Sequence, residues 1–232
     1  MSENNLLKFQ QKIGYTFKDI SLLRTALTHS SFVRGNSSHE DCKDNERLEF
    51  LGDAVLGLCV GEKIFRTYTS VSEGVMSRTR AVAVCEETLY TVAKELGMPE
   101  YILMSYGEVM SGGRDKPSIL SDALEAVIGA IYLDGGLEEA RKFVLSFTDV
   151  AGSYNKSRKK DSKTRLQEYV QERHMGTISY DVVDVSGPDH KRVFTIELKI
   201  NDVLYGKGVG LSKHEAGMNA ATEALEHINK HN

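Results

Sequence analysis

Three carboxylate side chains recur at helical spacing between residues 46 and 53. On a helix that turns roughly 100° per residue, Glu46, Glu49 and Asp53 fall within about 60° of one another. The apolar positions on the other side of that helix are Leu48, Leu51, Val55 and Leu58. Carboxylates three or four residues apart repel each other, which is tolerable on a solvated helix face. The same arrangement is what a divalent cation needs, and both interpretations stay open for this helix alone.

A second pair of carboxylates stands in a different setting. Asp122 and Glu125 are the only charged residues before the last turn of the helical pattern SILSDALEAVIGAIYLDG. The apolar residues around them are Leu120, Leu124, Val127, Ile128 and Ile131. Charged groups in so apolar a helix are rarely buried unless they are paired or bound to a metal ion. Salt bridges to arginine and a metal site are both consistent with this helix.

Together the two helices predict a site of five carboxylates with no cysteine or histidine ligand. Hard oxygen donors of this kind suit Mg²⁺, with Mn²⁺ as a substitute, and do not suit zinc or copper. A magnesium ion polarises a phosphoryl group, activates a water molecule and stabilises the leaving oxygen. The five residues therefore indicate hydrolysis of phosphodiester bonds.

Helical periodicity extends over the part of the chain that carries these residues, from residue 6 to about residue 149. Within it, helices are expected over 86–96 and over 118–133, with glycine and proline at their ends. The segment 107–117 (GEVMSGGRDKP) is expected to form the loop before the second of them. The sequence therefore predicts an all-α domain over residues 1–151.

The pattern changes after residue 151. Residues 152–162 (GSYNKSRKKDS) lack large aliphatic side chains and have the composition of a basic, flexible linker. The expected elements beyond it are a helix over 164–174, strands over 178–185, 193–200 and 203–208, and a helix over 212–228. Ser212 and Glu215 form a capping box at the start of the last helix. The sequence thus predicts a small α+β (α-β-β-β-α) domain over residues 163–230.

Charge, hydropathy and cysteine content limit the partners and the compartment that this protein can have. A net charge of −4 over 232 residues gives no global field that would attract nucleic acid, so any such contact must use local patches. The sequence contains no run of about 18 apolar residues, and its polar start does not fit a secretory signal. The three cysteines, Cys42, Cys59 and Cys85, have no close metal spacing. We therefore expect a cytoplasmic protein without disulfides and without membrane contact.

Two motifs carry a resemblance to a known family. The segment ERLEFLGDAVL at 46–56 closely resembles the signature stretch of ribonuclease III, and DALEA at 122–126 resembles the second acidic motif of that family. The order of a helical domain, a short linker and an α-β-β-β-α unit is that of bacterial ribonuclease III, from about Phe9 to Ile228. The C-terminal unit resembles a double-stranded-RNA-binding domain.

The resemblance implies a homodimeric endoribonuclease that cuts double-stranded RNA with Mg²⁺ and in which each subunit cuts one strand. The products would have 5′-phosphate and 3′-hydroxyl ends and a short 3′ overhang, and the implied roles are processing of ribosomal RNA precursors and maturation or decay of messenger RNA. Asp53 and Glu125 would be catalytic. The residues nearest the metal ion would be Glu46, Asp53, Asp122 and Glu125. Glu49 would belong to the composite site at the subunit interface, with Glu73 and Glu108 as accessory acidic positions.

For the second unit, the resemblance implies contacts to two successive minor grooves of the duplex and to the phosphates between them. The implied RNA-binding residues are Gln167, Glu168, Pro188, His190, Ser212, Lys213 and His214. Residues 166–232 hold 7 Lys and Arg against 10 Asp and Glu, and the last helix opens with the single lysine Lys213. We therefore hypothesise weak RNA affinity, which His190 and His214 would make pH-dependent because the pKa of imidazole is about 6.5.

Two other functions are compatible with parts of the sequence. A catalytically silent protein could keep this fold as a scaffold that binds double-stranded RNA, but a binder has no reason to retain five carboxylates that repel phosphate. A metal-dependent phosphohydrolase acting on small nucleotides would leave the C-terminal unit unexplained. The acidic residues therefore favour the endoribonuclease.

Overall fold

The computed structural model describes residues 3–35, 43–160, 162–188 and 192–230. The chain divides into two compact units, Met1–Ser153 and Tyr154–Asn232, and each is described by itself. Within the described residues, no helix is both long enough and apolar enough to cross a membrane.

The first unit is built from helices. They are α1 (Glu3–Ile13), α2 (Ile20–Ala26), α3 (Ser30–Arg34), α4 (Glu46–Thr67), α5 (Glu73–Ala83), α6 (Glu86–Glu95), α7 (Tyr106–Met110), α8 (Pro117–Gly135), α9 (Leu137–Phe147) and the start of α10 (Val150–Lys160). Two short 3₁₀ helices lie at Met98–Glu100 and Gly113–Asp115. The all-α prediction for this part of the chain is confirmed.

The helix α8 lies at the centre of the first unit. Nearly all its residues from Ile119 to Ile131 are buried, and α2, α4, α6 and α9 pack around it. This burial explains why α8 is apolar on almost every face, since a helix surrounded by other helices has no solvated side. Asp122 and Glu125 are the exceptions, because both are only partly buried.

Two local predictions for the first unit were wrong. The segment 107–117 is not an open loop but contains α7 and a 3₁₀ helix, because the Ser105 hydroxyl accepts a hydrogen bond from the Glu108 N–H and starts a helical turn. Leu58 was placed with the apolar side of α4, but it is 55% exposed. Leu48 and Val55 are buried as predicted, and the buried side of α4 extends to Gly52, Leu56 and Cys59.

The segment predicted as a linker is helical over most of its length. Residues up to Lys160 belong to α10, at whose start Asp149 accepts a hydrogen bond from the Gly152 N–H at 2.8 Å. Lysine and arginine are good helix formers, so the cationic composition that suggested a linker also permits a helix. The division between the two units falls inside this helix, after Ser153. The boundaries 1–151, 152–162 and 163–230, and the flexibility of the segment, stay predictions.

The second unit is the α-β-β-β-α fold that the sequence predicts. After α11 (Ser162–Glu172) come the strands β1 (Ile178–Ser186), β2 (Val193–Ile200) and β3 (Val203–Gly210), and then α12 (Lys213–Lys230). The strands form an antiparallel sheet in the order β1-β2-β3. Asn201 and Asp202 both have positive φ angles, which is the backbone of the tight hairpin turn predicted between β2 and β3.

Small residues let α12 pack closely on this sheet. A Cβ added at Gly206 or Gly208 of β3 would overlap backbone atoms of α12 near Ala216 and Ala220. The Ser212 hydroxyl caps α12 by accepting from the Glu215 N–H at 3.1 Å, as predicted. The Glu215 carboxylate accepts from the N–H of Leu211, one residue before the cap. These contacts fix the start of α12 against the end of β3.

Candidate active site

The carboxylates of the first unit meet where α4 crosses α8. At the crossing, a Cβ added to Gly52 would overlap the carbonyl oxygen of Glu125, and one added to Gly129 would overlap that of Leu48. The two backbones therefore touch, and only glycine fits on both sides. Because Gly52 lies between Glu49 and Asp53 on α4, this contact carries the acidic residues of α4 directly to Glu125 on α8.

The crossing brings three carboxylates into one group. Oxygen atoms of Glu49, Asp122 and Glu125 all lie within 4.8 Å of one another, which is close enough for one metal ion to contact all three. Each of these side chains is partly buried. The family resemblance implied that Glu49 lies near the metal ligands, at the subunit interface, and contributes to the composite site. In this subunit its carboxylate is a member of the group.

Glu46 and Asp53 lie at the exposed edge of this group. Asp53 is close enough for its charge to raise the pKa of both Glu49 and Glu125, and Glu46 acts on Glu49 in the same way. Glu46 also forms an ion pair with Arg34 at 3.4 Å. An exposed pair of this length contributes little to stability, so Glu46 is free to turn toward another cation. All five predicted carboxylates are therefore on one side of the α4–α8 crossing.

Burial and mutual repulsion raise the pKa values at this site. The pKa of Glu125 is raised to about 8, first by burial and then by the charges of Asp53, Asp122 and Glu49. Burial is also the main cause of the raised pKa of Glu49, to which Asp122, Glu46 and Asp53 add. Burial is the main cause of the raised pKa of Asp122; the hydrogen bond from the Ser121 hydroxyl opposes it, and the charges of Glu86 and His29 raise and lower the pKa by less.

The chemistry of this group fits a hard divalent cation. Within the described part of the chain, none of the ion pairs formed by lysine or arginine involves Glu49, Asp122 or Glu125. The alternative of salt bridges to arginine is thus not found there. Partly buried carboxylates that lack a counter-charge are costly to ionise, and a cation such as Mg²⁺ would remove that cost.

The two accessory acidic residues are engaged elsewhere. Glu108 in α7 pairs with Lys116 at 2.6 Å, and this hydrogen bond lowers the pKa of its carboxyl group. Glu73, in the first turn of α5, accepts a hydrogen bond from the Ser77 hydroxyl at 2.6 Å. Among the described residues, the group of carboxylates within 4.8 Å includes neither of them.

The RNA-binding positions lie on the surface of the second unit. Gln167 and Glu168 are exposed on α11, and Pro188 is exposed in the turn after β1. Ser212, Lys213 and His214 are exposed at the start of α12. His190 lies outside the described residues. The residues expected to meet the duplex are therefore accessible wherever they are described.

The glycines that build the site were not predicted from the sequence. Gly52 and Gly129 each lie inside a long helix, where glycine costs about 1 kcal/mol relative to alanine and so indicates a packing reason. That signal was present in the sequence, but it does not say which helices meet. Glu86, whose charge raises the pKa of Asp122, was also missed, because it is distant in sequence and comes near only through the packing of α6 on α8.

Family models match both units. Residues 19–150 match the model described as Ribonuclease-III-like, and residues 162–228 match the double-stranded RNA binding motif. A protein named Ribonuclease 3 from Clostridium perfringens is 46% identical over 230 residues, which cover 98% of this chain and 96% of the relative. A protein of the same name from Borreliella burgdorferi is 41% identical over 232 residues, covering 98% of this chain and 94% of the relative.

A solved structure matches the first unit. The nuclease domain of ribonuclease III from Campylobacter jejuni, solved in a study of flexibility in a region involved in dimer formation, has 48% sequence identity and a TM-score of 0.56. The match covers 60% of this chain and 93% of that domain. The similarity thus extends from sequence to the three-dimensional arrangement of the helices.

We predict that Gly52→Ala separates α4 from α8 and disperses the carboxylates. Overpacking of this kind is expected to destabilise the fold by about 1–3 kcal/mol, which thermal unfolding would measure. Gly57→Ala adds the same methyl group to the same helix where a Cβ meets no atom within 4 Å, so it should leave stability unchanged or slightly raised. Equal unfolding temperatures for the two variants would contradict the proposed crossing.

We also predict a pH dependence of stability in metal-free protein. Because the pKa of Glu125 is about 8 when folded and near 4.5 otherwise, the folded state holds a proton that the unfolded state has lost between these values. The stabilisation of the folded state by this proton is complete below about pH 4.5 and is lost as pH rises through about 8. Unfolding temperatures measured in EDTA from pH 5.5 to 9 should fall less for Glu125→Gln than for the wild type. The exposed Glu95→Gln is the control, and a Glu125→Gln profile identical to it would disprove the assignment.

Proposed function

The chain belongs to the ribonuclease III family and is an endoribonuclease, and from this premise we propose that it hydrolyses double-stranded RNA with Mg²⁺ at the α4–α8 crossing. The observation that carries the proposal is the group of three partly buried carboxylates within 4.8 Å of one another. Mn²⁺, which accepts the same oxygen ligands, would substitute.

We propose that the metal-proximal residues are Glu46, Asp53, Asp122 and Glu125, as the family resemblance implies, and we add Glu49 to them. Its carboxylate oxygen lies within 4.8 Å of those of Asp122 and Glu125, which supports this addition. The raised pKa of Glu125 means that this side chain releases a proton when a cation binds, so metal affinity should increase with pH. Glu46 would exchange its exposed partner Arg34 for the cation.

When bound, Mg²⁺ supplies the positive charge that polarises the phosphoryl group and makes water a better nucleophile. The residues of the chain then have separate tasks. Asp122 and Glu125 would hold the ion from the buried helix α8. Asp53 lies at the exposed edge, where a carboxylate can accept a hydrogen bond from an attacking water molecule. Asp53 and Glu125 are therefore the proposed catalytic residues.

The active form is proposed to be a homodimer in which each subunit cuts one strand. Phe50, Leu58 and Phe65 of α4 are 80%, 55% and 69% exposed and point to the same side of the helix. An exposed apolar stripe of this size is typical of a surface that another subunit covers. Two sites related by a twofold axis would cut both strands, and staggered cuts would leave the expected short 3′ overhang. The 5′-phosphate and 3′-hydroxyl ends are proposed from the family resemblance.

We propose the RNA substrates of the protein from its family and its location from its cysteines. Processing of ribosomal RNA precursors and maturation or decay of messenger RNA are the proposed roles, because the family resemblance implies them. Cys59 and Cys85 are free cysteines, which agrees with the reducing cytoplasm as the proposed compartment.

Cleavage assays with Glu125→Gln test the proposed metal site. Residues that only support metal ligands typically cost about 10–100-fold when they are changed, so loss of Glu125 should reduce duplex cleavage more than about 100-fold. EDTA should abolish cleavage by the wild type, and Mg²⁺ should raise the unfolding temperature of the wild type but not of the variant. Glu95→Gln should behave as the wild type.

Two outcomes would contradict this assignment. Cleavage by Glu125→Gln at the wild-type rate would remove Glu125 from the metal site. Wild-type protein that binds the duplex in Mg²⁺ but leaves it intact would favour the catalytically silent scaffold instead.

The proposed dimer is tested by Leu58→Asp combined with Phe65→Asp. Charged side chains on the apolar stripe of α4 should leave the chain monomeric at micromolar concentration, because burying them would require unpaired carboxylates in the interface. Sedimentation velocity gives the mass, and duplex products show whether one strand or both are cut. Leu7→Asp on α1, where Leu7 is 57% exposed, is the control. A dimer that survives the double change would place the interface on another surface.

A further inference from the structure

A lysine of α11 occupies the space beside a glycine of α12. A Cβ added at Gly217 would lie 2.5 Å from Nζ and 2.7 Å from Cε of Lys163. The end of the Lys163 side chain therefore lies where a side chain of residue 217 would begin. Because any larger residue would displace the lysine, Gly217 makes room for it.

The position of Lys163 is held by an aromatic ring and not by an acid. Its ammonium group lies 4.6 Å from the centroid of the Tyr180 ring on β1, within the range of a cation–π contact. Within the described part of the chain, none of the salt bridges involves Lys163. The side chain is only partly buried. Its charge is thus fixed in place and is not neutralised by a described carboxylate.

This charge lies on the same face of α12 as the first lysine of that helix. Lys213 and Gly217 are four residues apart, which puts them one turn apart on one face. Lys163 therefore extends the positive face of α12 by one turn, next to the helix N-terminus, where backbone N–H groups favour anions. Lys213 and Lys163 are therefore two cations on one face, although only Lys213 belongs to α12.

We propose that Lys163 is a phosphate-binding residue of the double-stranded-RNA surface, supplied by α11 to the face of α12 that lacks a second lysine. The inference rests on the proposed function, since it assumes that this unit binds duplex RNA. It also revises the hypothesis of weak RNA affinity. That hypothesis rests on the charges of α12 alone, whereas tertiary packing brings Lys163 to the same helix.

The test is the salt dependence of duplex binding by the full chain. Binding is measured in EDTA, which prevents cleavage, with a blunt RNA duplex of about 20 base pairs at several salt concentrations. Lys163→Met keeps an aliphatic side chain on Tyr180 but removes the charge. Loss of one phosphate contact should flatten the slope of log K against log[salt] by about 0.9. The affinity deficit of the variant should accordingly shrink about threefold between 50 and 200 mM salt.

Matched variants separate charge from packing. Lys163→Arg should keep the wild-type slope, and Lys163→Ala combined with Gly217→Lys should restore it by placing a lysine directly on the same face of α12. Lys207→Met is the control, because Lys207 lies on β3 between Gly206 and Gly208, which face α12, and so points to the other side of the sheet. That variant also loses a lysine but should not change the slope.

The outcomes distinguish this inference from the proposed function. A Lys163→Met protein with the wild-type slope would overturn the role of Lys163 while leaving duplex binding intact. Failure of Gly217→Lys to restore the slope in the Lys163→Ala background would also count against it. Wild-type protein that binds no duplex at all would overturn the proposed function, and the inference with it.

Discussion

The contact of two helix backbones at Gly52 and Gly129 is the constraint on which the first unit depends. No side chain separates α4 from α8 at this point, so the helices approach as closely as backbone atoms allow. The residues next to the contact are forced together, whatever their charge. Glu49 and Glu125 would not approach each other in a helix pair spaced by leucine or valine, because ordinary helix packing separates the axes by about 8–10 Å.

The close packing of carboxylates at the α4–α8 crossing destabilises the first unit. Burial and repulsion raise the pKa of Glu125 to about 8, so the folded chain disfavours the ionised state that metal binding requires. The helices α2, α4, α6 and α9 pack around α8, and the buried apolar residues of α8 stabilise the first unit against this cost. A bound cation would relieve the repulsion, which couples the stability of the first unit to the ion that its chemistry needs.

The second unit uses small residues for a different purpose. Glycines of β3 and alanines of α12 bring helix and sheet together, while Gly217 leaves a space that Lys163 fills from α11. The first arrangement supplies stability, and the second positions a charge. In both units glycine determines which functional groups can be neighbours, although no glycine carries out any chemistry.

Much of the secondary structure of this protein is determined by local sequence. Helical and strand periodicity, the Ser212 cap and the turn at Asn201 and Asp202 depend on residues close in the chain, and they were predicted correctly. The five carboxylates could also be proposed as a site from the sequence, because their chemistry and helical spacing are local properties, and their role as metal ligands stays a prediction. What the sequence could not give was which side of α4 meets α8, why Leu58 is exposed, or that Glu49 joins Asp122 and Glu125. Periodicity relates a residue only to its own helix, whereas these neighbours, like Lys163 beside Gly217, are set by contacts between elements far apart in sequence.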